Sequence, residues 1–211
     1  MGRTKIRTTE RRAAAAEMLR THERQERRRK FLIYGIGAIA LAAIVIPTTV
    51  LLVGAQQQEA AIQTAAGKAI AGVRTFSNLT RNHLASPGPF AQNPPVGGDH
   101  SPNFVNCGTY TQPIDDGRAV HSLEHGAVWV TYGPSLPNAE VQALTAQAKA
   151  QKYELLSPRA GLPSPIVASA WGLQLQVSDA SDLRLAAFLH KYQQGPQTPE
   201  PGAACSGAPT N

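Results

Sequence analysis

The feature that most limits this chain is a run of 24 uncharged residues, FLIYGIGAIALAAIVIPTTVLLVG, at residues 31–54. An α-helix rises about 1.5 Å per residue, so roughly 20 apolar residues cross the hydrocarbon core of a bilayer. The run meets that length. It is too long for the apolar core of a signal peptide, and no small-residue cleavage pattern follows it. No Cys stands close behind it, which argues against a lipidated anchor. Pro47 lies inside the run and predicts a kink, which membrane helices tolerate. The reading is a single membrane-spanning helix. A buried core helix would not account for the ERRRKF at its start.

Charge sets the orientation. Residues 1–30 carry eleven Lys/Arg and four Glu, a net +7, whereas the rest of the chain carries nine basic and ten acidic residues, a net −1. The pI near 9.6 therefore belongs to the tail and is no footprint for nucleic acid. Basic flanks stay in the cytoplasm, and residues 55–73 hold only Glu59 and Lys68. The N-terminus is expected on the cytoplasmic side of a cell membrane and residues 55–211 outside it. The basic tail serves as a topology determinant or lies as a helix on anionic lipid. The expected partners are the lipid bilayer and envelope proteins, with oligomeric state left open.

Five regions follow: a basic tail at 1–30, the span at 31–54, a helical stalk at 55–71, an extracytoplasmic domain at 72–195 and a Pro/Gly-rich tail at 196–211. Within the domain, residues 70–79 have room for a short strand. Residues 86–113 are loop by their Pro and Gly content. Phe90, Phe104, Val105 and Tyr110 interleave with the breakers, so this loop is expected to be ordered rather than disordered. AVWVTY at 127–132 is a strand by β-propensity and its Gly-Pro stop. Residues 137–152 read as a helix capped by Asn138, with Val141, Leu144 and Ala148 on its apolar face. Residues 153–156 make a short strand. Residues 166–177 make one strand or two, with Leu173, Leu175 and Val177 on one side. Residues 181–192 read as a helix with Leu183, Ala186, Ala187 and Leu189 facing inward. The order loop, β, α, β, β, α predicts a single α+β domain of about 140 residues, enough for one core. A ferredoxin-like and a thioredoxin-like sandwich both fit.

Cys107 and Cys205 both fall on the outer side. Two thiols in an oxidising compartment favour a disulfide. The competing reading makes Cys107, near several histidines, a metal ligand. The absence of CxxC argues against a thioredoxin-type redox centre.

Four of the six histidines, His83, His100, His121 and His125, lie within 43 residues. His is the commonest metal ligand. His121-Ser-Leu-Glu-His125 matches H-x-x-E-H, whose two imidazoles share one face of a helix at i and i+4. The same letters mark inverted zinc peptidases, with the Glu as general base. Gly126 and AVWVTY follow at once, so the motif is expected to span at most one helical turn, and nothing marks Glu140, Glu154 or Glu200 as a third ligand. Metal binding needs only converging ligand atoms. His100, His121 and His125 with Glu124 or His83 suffice, and such a set suits zinc or copper. A structural hydrogen-bond network is the plain alternative. His22 and His190 read as solvated. Trp129 and Trp171 read as core. Asp115 and Asp116 read as turn residues, as does Asp99 unless it accepts a hydrogen bond from a ligand.

NPPVGGDHSPNFVNCGTY, AVHSLEHGAVWVTYGPSLP, VASAWG and QGPQTPEPGAACSG together resemble a bacterial family known as a domain of unknown function, numbered three-one-zero-five. The resemblance runs from about residue 72 to 207. The family's PPxxGxH and HxLEHG motifs fall on Pro94, Pro95, Gly98, His100, His121, Leu123, Glu124, His125 and Gly126, and His83 matches a further family His. Here Val96-Gly97-Gly98-Asp99 departs from the commoner Thr-Ser-Gly-Pro wording. The resemblance implies a short cytoplasmic tail, one span and an outer domain, and names no reaction. The sequence thus points to a membrane-anchored outer domain binding a transition metal. A zinc hydrolase with Glu124 as base and a metal-free envelope protein remain as alternatives. The balance is against an enzyme.

Overall fold

From Gly2 to Ala66 the sequence is dominated by Ala, Leu, Arg, Glu and Gln, good helix formers, and it forms one helix of 65 residues, α1. The computed structural model describes residues 2–207. Pro47 sits inside α1. It has no N–H to give the preceding turn, and beside it the hydroxyls of Thr48 and Thr49 bond to the carbonyls of Ile44 and Val45. The tail, the apolar run and the stalk are continuous backbone, with no break at residue 30 or 54. The apolar part reaches a mean hydropathy of 2.5 and is long enough to cross a membrane. Its large side chains, such as Phe31 and Leu51, are exposed. The chain divides into two units between Gln57 and Gln58.

The second unit is α+β. Its strands are β1 (Arg74–Thr75), β2 (Gly108–Thr109), β3 (Val128–Tyr132), β4 (Glu154–Pro158), β5 (Ile166–Ala170) and β6 (Leu173–Val177). Its helices are α2 (Asp116–Glu124), α3 (Asn138–Lys149) and α4 (Leu183–Tyr192). The strands form one mixed sheet in the order β1-β6-β5-β3-β4-β2. The β3–β4 and β4–β2 pairs are parallel; the β3–β5, β5–β6 and β6–β1 pairs are antiparallel. A two-residue Trp171-Gly172 turn, with Gly172 at φ +68, makes residues 166–177 a hairpin rather than one strand.

Strand residues alternate between faces, and β3 shows the division. Val128 and Val130 pack with Leu144 and Ala148 of α3 and with Leu185, Phe188 and Leu189 of α4. Trp129, between them, packs with Ala119, Val120 and Leu123 of α2 and with Leu155 and Trp171. Each fully buried Leu or Phe contributes roughly 1.5–3 kcal/mol. Both tryptophans are core, as expected; Trp129 Nε1–H donates to Ser157 Oγ at 2.9 Å.

Two helix starts differ from the sequence reading. Pro137, not Asn138, holds the cap position of α3, with no side-chain hydrogen bond; the fixed φ of proline pre-sets the entry instead. Asp182 caps α4 by accepting from the Arg184 N–H. This start turns the helix so that Leu185 and Phe188 join Ala187 and Leu189 inside, while Leu183 is 51% exposed.

Candidate metal centre

The H-x-x-E-H segment ends a real helix. α2 begins at Asp116, with Asp115 as its cap accepting from the Arg118 N–H at 2.9 Å. Neither residue is the simple turn residue expected from DDG; the Asp116 carboxylate is also gripped by both Arg159 amines. Ala119, Val120 and Leu123 turn toward Trp129. His121, Glu124 and His125 follow the 3–4 spacing on a neighbouring stripe. Gly126, at φ +91, ends the helix. Its N–H reaches Leu123 O, and the Ala127 N–H reaches Ser122 O, a glycine C-terminal motif that needs a left-handed residue. A Cβ at Gly126 would also lie 2.5 Å from Gln194 Nε2, which donates to His125 O.

The loop before α2 brings in the other two histidines. His83 and His100 form an isolated parallel bridge. The Leu84 N–H donates to His100 O at 2.7 Å and the His100 N–H to Asn82 O at 2.9 Å. Asp99 fixes this junction by accepting from the backbone and side-chain amides of Asn82. Hydrogen bonds from Thr80 and Asn82 hold its carboxyl below the usual range.

Three rings are anchored in the same way. Nδ1 lies 2.7 Å from a backbone carbonyl in each: Gly98 for His100, Ser101 for His121 and Ala204 for His125. A carbonyl only accepts, so each Nδ1 carries the hydrogen, and Nε2 of the neutral ring keeps its lone pair. Those nitrogens make separate close contacts. His121 Nε2 and His125 Nε2 are 3.0 Å apart. His100 Nε2 lies 2.9 Å from Glu124 Oε2, and His83 Nε2 lies 3.4 Å from the same oxygen. Ligand atoms of His83, His100 and His121 all fall within 4.8 Å of one another; these three histidines could hold a metal ion. Burial, partly offset by the Ser101 hydrogen bond, lowers the His121 pKa, and the neighbouring histidines lower it further. Phe104 packs against His121 and His125, and Trp171 meets His100 edge-on.

Of the residues singled out in the sequence, His83, His100 and His121 thus share one point, Glu124 touches His83 and His100, His125 touches His121, and His22 and His190 are exposed. Glu200 was not marked by the sequence, yet its Oε2 lies 3.6 Å from His125 Nε2. No spacing rule links residues 75 positions apart; the Glu200 N–H to Glu124 O bond and the Cys107 N–H to Cys205 O bond bring that tail back. Cys107 and Cys205 lie at disulfide distance, with Cα atoms 5.3 Å apart. Neither is a free thiol, so Cys107 is spent on this pairing and is not a metal ligand. Glu140 instead accepts from the Ala180 N–H.

This architecture accompanies a family match. The model of the family described as "Protein of unknown function (DUF3105)" matches residues 83–207. The chain belongs to that family, and the matched segment runs from His83 through His100, His121, Glu124 and His125 to beyond Cys205. No curated protein and no solved structure matches the chain.

Proposed function

We propose that this protein is a single-pass membrane protein whose outer domain binds zinc or copper through His100, His121 and His125, with Glu124 and His83 completing the set. The observation that carries this reading is the shared anchoring of the three buried rings. Each Nδ1–H is used on a carbonyl, so two contacts, His121–His125 and His100–Glu124, bring lone pairs face to face. Such contacts repel unless positive charge lies between them. Protons alone would require an imidazolium at His121 or His125 and a second proton held between His100 and Glu124. One divalent cation meets the same demand, and carbonyl-oriented imidazoles are the usual support of a metal site.

The basic tail and the long apolar helix support insertion with the N-terminus in the cytoplasm, and paired cysteines suit an oxidising outer compartment. The β3–α3–β4 and β5–β6–α4 units, with β3 and β5 adjacent, support the thioredoxin-like of the two sandwich orders, without its CxxC. The hydrolase alternative would use Glu124 as base. With Oε2 against two imidazoles, the carboxylate is placed better as a ligand than as a base waiting for substrate.

The test is metal content of the full-length chain, purified in detergent without a His tag. Near-stoichiometric zinc or copper is expected by mass spectrometry, and none in His121→Ala/His125→Ala. No uptake by the wild type after either metal is added would sink the reading and leave a structural histidine network.

A further inference from the structure

Among the five proposed ligands, His83 differs from the rest. His100, His121, His125 and Glu124 are buried, at 0%, 6%, 8% and 2% exposure. The His83 side chain is 44% exposed. The other three rings are each anchored through Nδ1. The His83 Nδ1 has no hydrogen-bond partner among the described residues. Its ring instead lies flat on His121, with centroids 4.7 Å apart and planes 13° apart, a contact along which a ring can slide. Meanwhile the backbone on both sides of His83 is fixed by the bonds between residues 82–84 and His100. The side chain can turn away while the loop stays in place. His83 therefore covers the solvent side of an otherwise fixed ligand set.

Resting on the metal reading, we propose that His83 is a displaceable ligand, and that the position it covers takes a small exogenous σ-donor, of the imidazole or azide class, onto the metal. The exchange is a simple substitution. The bond from the metal to His83 Nε2 breaks with its electron pair returning to the ring, the incoming lone pair forms the new bond, and the metal keeps its oxidation state. Sites that exchange ligands keep one such position, whereas sites serving only structure close it with fixed protein ligands. A fixed ligand at position 83 would need the anchoring that the other three rings have.

The probe is cobalt(II), whose visible spectrum reports its ligands, loaded into the full-length chain in detergent. His83→Ala is expected to retain stoichiometric cobalt with an altered spectrum. It is also expected to respond to imidazole or azide at concentrations about 10-fold or more below those the wild type needs. His83→Gln should behave in the same way, and circular dichroism should match the wild type for both. Two outcomes overturn the inference while leaving the metal reading intact. In one, His83→Ala keeps the wild-type spectrum and donor response, so that His83 is not a ligand. In the other, it loses cobalt as completely as His121→Ala, so that His83 is a fixed ligand. Failure of the wild type to take up cobalt, zinc or copper overturns the metal reading itself and this inference with it.

Discussion

Glu124 and Glu154 are buried almost equally, at 2% and 1% exposure, yet their surroundings are opposites. Glu154 projects from β4 on the same face as Leu156, into the apolar layer under α3 and α4. Neither of its carboxyl oxygens has a hydrogen-bond partner among the described residues. Burial pushes its pKa up to about 8, and the Gln147 amide pulls the other way without closing a hydrogen bond. Glu124 lies on the other side of the sheet, with α2, and its Oε2 has imidazole nitrogens at 2.9 and 3.4 Å. Lost water is uncompensated around the first carboxyl and replaced by polar ligand atoms around the second. Burial of an acid thus says little by itself; what faces the oxygens decides whether it is a strained core residue or part of a site.

The largest expected effect tests the Glu154 side of this contrast. Its folded pKa is about 8 against 4.5 unfolded. Between those values the folded chain keeps a proton that the unfolded chain has lost. Stability from this group is fully present below pH 4.5 and falls as pH rises toward 8, by roughly 5 kcal/mol at most. Denaturant titrations at pH 5 and pH 8 should show about 3–4 kcal/mol of that loss in the wild type and most of it absent in Glu154→Gln, with metal content unchanged. An equal pH dependence in the variant would break the comparison.

Next in size is the Cys107–Cys205 pair. It closes a separation of 98 residues and holds the tail whose Ala204 carbonyl orients His125. Reduction by a dithiol should lower stability by about 2–4 kcal/mol and weaken metal binding as well. Affinity unchanged after reduction would show that the tail is dispensable to the site. Glu124→Gln sharpens the other side of the comparison. It should weaken metal affinity about 10- to 100-fold in a competition titration with a chelator, with little of the pH effect seen at Glu154. The smallest effect belongs to Asp115→Ala, which removes the α2 cap and should cost about 1 kcal/mol of stability. Stoichiometric metal should remain, because the ligands sit at the opposite end of α2.

Much of the site was legible because it is local. His121, Glu124 and His125 share a stripe whenever α2 is helical, and Gly126 marks its end. The length of α2 was not legible, because DDG reads equally as a turn or as a cap followed by a first helical turn. Only the packing of Ala119, Val120 and Leu123 against Trp129 chooses between them. The inward face of α4 was legible at Ala187 and Leu189, while Leu185 and Phe188 take the inward places expected of Leu183 and Ala186, because which part of the apolar stripe faces the sheet is set by packing. Glu200 gave no signal, since neither its spacing nor its neighbours differ from those of an ordinary Pro-rich tail.

What the sequence determined by itself were the short-range consequences of covalent order. These are a helix with an apolar stretch long enough for a bilayer, a charge contrast across it, the β-branched strands and the i, i+4 imidazole pair. The tertiary structure decided the sheet order, the meeting of His83 and His100 with α2, the return of Glu200 and Cys205, and the contrast between Glu124 and Glu154. Local rules act over a few residues through backbone geometry. Which distant segments meet depends on how all the apolar surfaces are buried at once, and that is a property of the whole domain.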